Sequence, residues 1–221
     1  MTGVPCRRSI AGVRRPLLLL APLALSSCIP HARHAPPPPP RAAAAAPLQC
    51  YADLRAAGAT FRPLPDRVLD NGCGMTGAVQ LLDIGTPVTN LGAMTCGLAE
   101  RFTAWVQDAV QPAALAAFRT PVARIESFGT FSCRPLNNQP GGRLSEHGHA
   151  NAVDVAAFVL KDGRRISVAA DWNGADEPAR RFLRAVHDEG CRRFNVVLGP
   201  DANSFHRDHL HFDLGRGPYC H

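Results

Sequence analysis

The sequence predicts an α+β domain in which a small antiparallel sheet is flanked by helices and the chain is crosslinked by disulfides. Three observations support this fold class. Apolar residues recur at helical spacing in some segments, whereas a valine-rich run followed by a turn predicts paired strands elsewhere. Cysteines are scattered evenly from position 50 to position 220. The apolar fraction of 46% in 221 residues is enough to build the core of one domain.

Three segments are predicted to be helical. A short helix is predicted over residues 51–57, directly before a glycine that is placed to end it. In residues 98–110 apolar side chains recur at helical spacing, and Pro112 is expected to end or kink this helix. A third helix is predicted between Pro178, near its start, and Gly190, after its end.

Strands are predicted in two regions. Residues 152–160 are apolar and rich in valine, and Asp162-Gly163 supplies a turn before residues 165–168. These two runs are therefore expected to form a hairpin. Residues 192–198 are expected to return as a strand after the last helix. No internal period of about 20 to 50 residues is present, which argues against a solenoid.

The first 27 residues have the pattern of an export signal, with an arginine-bearing start and an apolar run over residues 17–25. The sequence Leu25-Ser26-Ser27-Cys28 resembles the lipobox of bacterial lipoproteins, which implies that Cys28 becomes the lipidated first residue of the mature chain. Ile29 stands where an aspartate would indicate retention at the inner membrane. The chain is therefore expected in the periplasm, anchored by lipid to the outer membrane. The alternative is an ordinary signal peptide cut nearby.

Residues 28–49 are predicted to be a Pro/Ala-rich tether between this lipid anchor and the folded domain. The unbroken proline run at residues 36–40 favours the extended polyproline conformation. His31 and His34 in this segment are expected to be solvated rather than to bind a metal. The folded domain is predicted to comprise residues 50–221.

The formal charge of +6 does not indicate a nucleic-acid partner. Four basic residues, Arg7, Arg8, Arg14 and Arg15, lie in the predicted export signal, which contains no acidic residue. Their removal leaves 20 basic residues (24 − 4) against 18 acidic ones, a net charge of +2. Nucleic-acid binding requires a clustered basic surface, so no nucleic-acid partner is expected.

Six cysteines remain when Cys6 and Cys28 are set aside, and an even number in an exported domain predicts three disulfides. Their wide spacing argues against a metal cluster, which favours short Cys-x-x-Cys pairs. Six cysteines allow 15 pairings. Pairing of sequential cysteines is expected, because each bond then closes a short loop. The expected bonds are Cys50–Cys73, Cys96–Cys133 and Cys191–Cys220.

Five of the nine histidines lie in two short segments, residues 145–154 and 206–213. A divalent metal is bound by neutral imidazoles and carboxylates that come from different elements. His147 in a turn and Asp154 at the start of a strand can converge on one ion. In an extended run, His209 and His211 project to the same face, which supplies a third ligand and a neighbouring group able to carry a proton. The spacing differs from the helical His-Glu-x-x-His motif.

The two segments resemble the zinc signature of the D-alanyl-D-alanine metallopeptidases. The residues that carry this resemblance are Ser145, His147, Asp154, His209 and His211. Three further stretches resemble more specifically the bacterial extensin-like C-terminal domain, a family within the same fold superfamily. These stretches are residues 132–134, 151–158 and 198–201. The resemblance covers nearly all of residues 50–220.

The resemblance implies a zinc DD-peptidase-like fold and one zinc ion held by His147, Asp154 and His211. It also implies a monomeric peptidase that hydrolyses D-Ala-containing bonds in peptidoglycan stem peptides or crosslinks. The alternative is a non-catalytic module that keeps the fold and holds peptidoglycan in the cell envelope.

The resemblance leaves the acid-base residue open. Asp208 stands where some relatives place an acid, whereas His206 and His209 stand where endopeptidase-like relatives have histidines. Arg134 resembles the arginine that holds the carboxylate or carbonyl oxygen of the substrate, and its alternative role is a surface salt bridge. Ala150 stands where many members have glycine, and its methyl group is expected either to narrow the entrance for the substrate or to have no effect.

Other polar residues in the two segments each have two interpretations. Asp213 is expected either to orient a ligand histidine through its second ring nitrogen or to pair with Arg216. Glu146 is expected either to support its neighbouring ligand or to be solvated. His149 is expected to face solvent.

Overall fold

The computed structural model describes residues 41–221. The predicted export signal, Cys28 and the proline run at residues 36–40 lie outside the described residues. Within residues 41–221, no helix is both long enough and apolar enough to cross a membrane.

Five α-helices are present among the described residues; three overlap the predicted helices with different ends, and two were not predicted. They are α1 (Arg41–Ala56), α2 (Cys96–Trp105), α3 (Gln111–Phe118), α4 (Val168–Asp171) and α5 (Glu177–Cys191), with a π-helical turn (Val106–Val110) between α2 and α3. The first of these begins at Arg41, so residues 41–49, which were assigned to the tether, form part of a helix that continues into the predicted domain. The alanine run at residues 42–46 accounts for this difference, because alanine has the highest helix propensity.

The strands form two small sheets and a short hairpin. They are β1 (Thr60–Pro63), β2 (Arg67–Val68), β3 (Gly74–Met75), β4 (Ala78–Asp83), β5 (Ala93–Thr95), β6 (Val122–Gly129), β7 (Ala152–Leu160), β8 (Arg165–Ser167), β9 (Val196–Leu198), β10 (Leu210–Asp213) and β11 (Tyr219–Cys220). The main sheet has the order β11–β9–β10–β7–β6, with β8 paired to β7; the others are β1–β4–β5 and β2–β3. Pairing is antiparallel except between β11 and β9. The predicted α+β class is confirmed.

Buried aromatic rings join the helices to the main sheet. The Trp105 ring of α2 lies 4.7 Å from the Phe212 ring of β10, and the Phe158 ring of β7 lies 5.0 Å from the Phe182 ring of α5. Trp105 Nε1 donates a hydrogen bond to the Val186 carbonyl at 2.8 Å, which satisfies its buried polar atom. Helices α2 and α5 therefore cover one face of the sheet that carries the site described below.

The predicted hairpin is confirmed, since β7 and β8 pair across the expected turn. The strand expected over residues 192–198 is shorter and begins at Val196. The backbone N–H groups of Arg193 and Phe194 still bond to the carbonyl of Gly190 as the chain leaves α5. Gly190 thus lies within the helix rather than after it, and extended backbone is reached only beyond residue 195.

Pro112 does not end the helix that contains it. The chain continues as helix from Cys96 to Phe118, and the Gln111 N–H bonds to the Val106 carbonyl in the wider π pattern. Proline lacks an N–H, so it is tolerated in the first turn of a helix, where that group would have no partner. Because the π-helical turn ends at Val110, α3 begins at Gln111, and Pro112 lies in the first turn of α3.

The disulfides are Cys50–Cys96, Cys73–Cys133 and Cys191–Cys220, with Cα–Cα distances of 6.2, 5.8 and 5.7 Å. The expected Cys191–Cys220 bond is confirmed, whereas Cys50–Cys73 and Cys96–Cys133 are wrong. Helix α1 packs on α2, which brings the first cysteine to the third. Strand β3 lies against the turn at Glu146–His149, near the second and fourth cysteines.

Candidate metal centre

Two of the predicted ligands face each other across a pair of strands. Asp154 of β7 and His211 of β10 are register partners in the antiparallel ladder. Side chains at such positions have Cβ atoms only about 4.5 to 5.5 Å apart. His211 Nδ1 lies 2.8 Å from Asp154 Oδ1. The register of the main sheet therefore places these two ligands.

The third predicted ligand, His147, is held by the turn that leads into β7. Ser145 caps this turn, and its Oγ accepts a hydrogen bond from the His147 backbone N–H at 3.3 Å. The His147 carbonyl accepts a hydrogen bond from the Ser132 N–H at 3.1 Å. The His147 ring then reaches the strand pair, with Nε2 lying 3.1 Å from Asp154 Oδ2 and 3.3 Å from His211 Nδ1.

These distances fit a divalent metal. Zinc binds imidazole nitrogen and carboxylate oxygen at about 2.0 to 2.2 Å with tetrahedral geometry, which puts neighbouring donor atoms about 3.3 Å apart. His211 Nδ1 lies 2.8 Å from one carboxylate oxygen of Asp154, and His147 Nε2 lies 3.1 Å from the other. The two nitrogens lie 3.3 Å apart, and all three side chains are buried. Two nitrogens and one oxygen form a typical zinc donor set, so His147, Asp154 and His211 can hold one ion.

In both His147 and His211, the ring nitrogen that points away from Asp154 makes a hydrogen bond, which orients the ring. His147 Nδ1 donates to the Thr130 carbonyl at 2.5 Å. His211 Nε2 donates to Asp213 Oδ2 at 2.8 Å, and the other oxygen of Asp213 accepts from the Gly215 N–H at 2.7 Å. These bonds leave His147 Nε2 and His211 Nδ1 as the nitrogens that face Asp154.

The charges at the centre are strongly coupled. Burial by itself raises the pKa of Asp154, but hydrogen bonds from His147 and His211 and their charges hold that pKa well below its usual value. Burial by itself lowers the pKa of His211, but hydrogen bonds to Asp154 and Asp213 raise it to about 9. Without a metal, a proton on His211 thus supplies positive charge between two carboxylates.

The candidate acid-base residues lie beside this centre. His209 Nε2 lies 3.6 Å from Asp154 Oδ1, as expected for residues 209 and 211 projecting to one face. Its Nδ1 donates to Asp208 Oδ1 at 2.9 Å. The buried ring of His206 lies 5.2 Å from the His209 ring, and its Nδ1 donates to Asn203 Oδ1 at 2.8 Å.

The pKa of His206 is lowered to about 4, because its ring is buried and the charges of His211 and His209 lie nearby. His206 is therefore neutral at neutral pH. Its Nδ1 carries the proton that bonds to Asn203, which leaves Nε2 as an acceptor.

The centre lies in a cleft of about 680 Å³. Arg134 lines this cleft, and its Nη2 lies 3.9 Å from Asp154 Oδ2. The exposed rings of Phe128 and Phe205 also line it, and the Phe128 ring lies 5.6 Å from the His209 ring. A positive charge and apolar surface are thus available to a ligand beside the candidate metal.

Three further sequence interpretations are resolved by these contacts. Asp213 bonds to the second ring nitrogen of His211 and so orients this histidine, which is the first of its two interpretations. Glu146 accepts a hydrogen bond from Asn151 Nδ2 at 2.7 Å, which ties the ligand turn to the start of β7. His149 is exposed, as expected.

Ala150 does not line the cleft, so of its two interpretations the one without an effect on the entrance agrees with the structure. Its side chain is buried against Met75 and Ala78, apart from the residues that line the cleft. Its backbone is left-handed, with φ of 54° and ψ of 28°. Glycine adopts this conformation without strain, so glycine at this position is a backbone preference rather than a control on substrate size.

Sequence reasoning missed two contributors to the site. Thr130 acts through its backbone carbonyl, which no side-chain motif reveals. Asn203 caps the short helix at Ser204–His206, and its Oδ1 also accepts from His206. Asparagine is a favoured N-cap residue, so its capping role could have been recognised from the sequence, whereas its bond to the His206 ring could not.

The described residues thus form a mixed α+β domain, crosslinked by three disulfides, with a candidate metal centre in a cleft beside the main sheet. The family model for the extensin-like protein C-terminus matches residues 48–221. The chain belongs to this family. No curated protein and no solved structure matches the chain. Membership of the D-alanyl-D-alanine metallopeptidase superfamily stays a prediction.

Proposed function

We propose that the chain is a zinc-dependent peptidase with a DD-peptidase-like fold, which hydrolyses D-Ala-containing bonds in peptidoglycan stem peptides or crosslinks. The observation that carries the proposal is the convergence of His147 Nε2, Asp154 and His211 Nδ1 at distances suited to zinc. The peptide substrate is inferred from the resemblance of the two histidine segments to known metallopeptidases.

His147, Asp154 and His211 would hold the zinc ion. When bound, zinc supplies a Lewis acid that polarises a carbonyl group and lowers the pKa of water from about 15.7 towards about 7. The outer bonds to Thr130 and Asp213 hold the ligand rings in place, so little reorganisation is needed when the ion binds.

His209 is the better candidate for the acid-base residue. Its Nδ1 donates to Asp208, which leaves the Nε2 lone pair on the side of Asp154. A neutral imidazole so placed can accept a proton from the attacking water and deliver it to the leaving amine. Asp208 then acts as the group that orients His209. His206 is the neighbouring histidine whose ring packs against His209.

Arg134 is placed to bind the substrate. Its side chain is partly exposed in the cleft, and its guanidinium approaches the oxygen of Asp154 that also faces His147. A guanidinium at this position can hold a substrate carboxylate or amide oxygen beside the reacting bond.

No covalent acyl-enzyme is expected. The hydroxyl oxygen of Ser145 accepts a hydrogen bond from the His147 backbone as the cap of its turn. The cysteines of the described residues are all in disulfides. Because neither group is an activated nucleophile, β-lactams should not label the protein.

Metal analysis followed by digestion of muropeptides tests the proposal. The purified wild type should contain about one zinc and release amine from pentapeptide or crosslinked muropeptides. His209→Ala should keep the zinc and lower kcat by about 100-fold or more, because the proton transfer is lost. His149→Ala, which changes an exposed histidine in the same motif, is the matched control and should leave kcat unchanged.

The test also separates the proposal from its alternative. A zinc-loaded wild type that releases no amine, yet binds sacculi as tightly as His209→Ala, would identify a binding module. Near-stoichiometric zinc in a His147→Ala, His211→Ala double variant would place the metal elsewhere in the chain.

We propose that the protein is exported and held at the outer membrane by lipid on Cys28. The Leu25-Ser26-Ser27-Cys28 segment supports this placement. Cys28→Ala should move the protein from the membrane fraction to the soluble periplasmic fraction. Retention of this variant in membranes to the same extent as the parent would contradict lipid anchoring.

A further inference from the structure

A second group of metal-ligating side chains lies where α5 meets β11. His187 and Cys191 are four residues apart on α5, so they share one face of the helix. Cys220 of β11 reaches the same place through its disulfide to Cys191. One ligand atom from each of the three residues lies within 4.8 Å of the other two. Among residues 41–221, neither of the other disulfides has a third ligand so close.

The histidine of this group carries an unsatisfied polar atom. His187 is 6% exposed, and its Nδ1 donates to Asp188 Oδ1 at 3.0 Å. Its Nε2 is buried and has no hydrogen-bond partner among the described residues. The ring packs edge-on against Trp172, with centroids 5.5 Å apart. A buried nitrogen without a partner is costly, and it calls for an explanation such as an absent ion.

We propose that His187, Cys191 and Cys220 form a second metal site, for zinc or a similar divalent cation, when the Cys191–Cys220 bond is in its dithiol form. The same residues then have two alternative states, a disulfide or a Cys₂His site. The bond from Nδ1 to Asp188 leaves the Nε2 lone pair for the metal, an arrangement that recurs around zinc-bound histidines. The fourth position is open to water.

The geometry allows the exchange between these states. In a tetrahedral zinc site two thiolates lie about 3.8 Å apart. The Cα atoms of Cys191 and Cys220 are 5.7 Å apart, which lets side-chain rotation separate the sulphurs by that distance. Cys220 is exposed, so a reductant and a metal ion can reach it from solvent.

The chemistry needs an external reductant. A phosphine reduces the disulfide to two thiols with uptake of one water, and the phosphine becomes its oxide. Each thiol then releases a proton as it binds the metal as thiolate. The metal itself undergoes no redox change.

Cobalt(II) is the probe that separates this site from the His147–Asp154–His211 centre. Thiolate ligands give cobalt a sulphur-to-metal charge-transfer absorption in the near ultraviolet, which a site of imidazoles and a carboxylate cannot give. The purified chain is treated with a water-soluble phosphine under nitrogen without denaturant, freed of the phosphine and titrated with Co²⁺. Free thiols are counted before the titration.

The reduced wild type should show the charge-transfer band, and the oxidised wild type should not. The band should disappear in Cys191→Ser, Cys220→Ser, which keeps the other two disulfides. Asp188→Asn removes only an outer partner of the histidine and should weaken Co²⁺ binding by about 10- to 100-fold. His187→Ala removes a ligand and should weaken Co²⁺ binding by more than that. His149→Ala is the matched control and should match the wild type.

Three results would overturn the proposal. One is absence of the band from reduced wild type with two new thiols. Another is a band of equal strength and affinity in the double-serine variant, which would assign it to other thiols, or in His187→Ala, which would exclude His187 as a ligand. The third is a Cys191–Cys220 bond that the phosphine fails to open in the folded chain, since the proposed site requires that dithiol form.

Discussion

The orientation of His211 in the candidate metal centre depends on the partner of each of its two ring nitrogens. Its two ring nitrogens lie between the carboxylates of Asp154 and Asp213. The His-x-His spacing predicted that His209 and His211 share a face, because alternate residues of a strand do so, and the family resemblance named His211 as the ligand. Which nitrogen faces Asp154 depends on Asp213, and the sequence left that residue with two interpretations.

Replacement of Asp213 tests this dependence. In Asp213→Asn one carboxylate oxygen becomes an amide NH₂, so the residue loses its charge and one of its two hydrogen bonds, to His211 or to Gly215. Zinc affinity should fall by about 10- to 100-fold. Competition with a chromogenic chelator measures the change. Asp162→Asn in the exposed hairpin turn is the control, and equal affinity in the two variants would exclude an orienting role for Asp213.

Zinc affinity should also depend on pH. The pKa of His211 is about 9 in the metal-free chain, so below that pH a metal must displace a proton from Nδ1. Affinity should therefore decrease as pH is lowered from about 9 towards about 7, by up to tenfold per unit for this one proton. Asp154 has a pKa well below its usual value and stays ionised over this range. Constant affinity across it, in chelator competition, would contradict the prediction.

The helices and strands that the sequence predicted are those in which apolar residues follow a clear pattern along the chain or proline or glycine flanks the segment. The valine-rich run and its turn predicted β7 and β8, apolar spacing predicted α2, and the flanking Pro178 and Gly190 predicted α5. Whether Pro112 ends or only kinks its helix was left open, because the outcome depends on a local change of hydrogen-bond pattern. The end of α5 was misplaced because Gly190 has a packing role in the helix, although glycine usually marks a helix end.

That packing role is testable. A Cβ atom on Gly190 would lie 2.5 Å from Cε1 of Phe212, next to the ligand His211 in β10. Gly190→Ala gains about 1 kcal/mol of helix propensity but costs about 1 to 3 kcal/mol by overpacking. The free energy of unfolding should fall by about 1 kcal/mol in urea titrations. Arg181→Ala, an exposed change in the same helix, should stay within about 0.5 kcal/mol of wild type. Increased stability of Gly190→Ala would refute the steric argument.

At the scale of the whole molecule, the sequence predicted that the six cysteines pair but gave the wrong partners for four of them. Short loops favoured sequential bonds, yet pairing is decided by which elements pack together. Cys50 on α1 meets Cys96 because α1 packs on α2. That contact is long-range, and no local pattern in one sequence reports it.

Peptide mapping of unreduced, exported protein checks the pairing. The expected crosslinked peptides contain Cys50 with Cys96, Cys73 with Cys133, and Cys191 with Cys220. Reduction before digestion is the control and should abolish all three. A peptide that joins Cys50 to Cys73 would show that the sequential expectation, and not the structure, is correct.

Two candidate ligands lie opposite each other in the main sheet. This arrangement determines which parts of the chain can change in length among relatives. Sheet pairing, and not chain length, brings Asp154 and His211 together across a separation of 57 residues. Insertions and deletions in the loops of the intervening segment, outside α5 and β9, can therefore accumulate during evolution without moving either candidate ligand. The seven-residue step from His147 to Asp154 lacks this freedom, because a tight turn and the first residues of β7 occupy it. Search patterns for distant homologues should hold that short interval constant and leave the long one unrestricted.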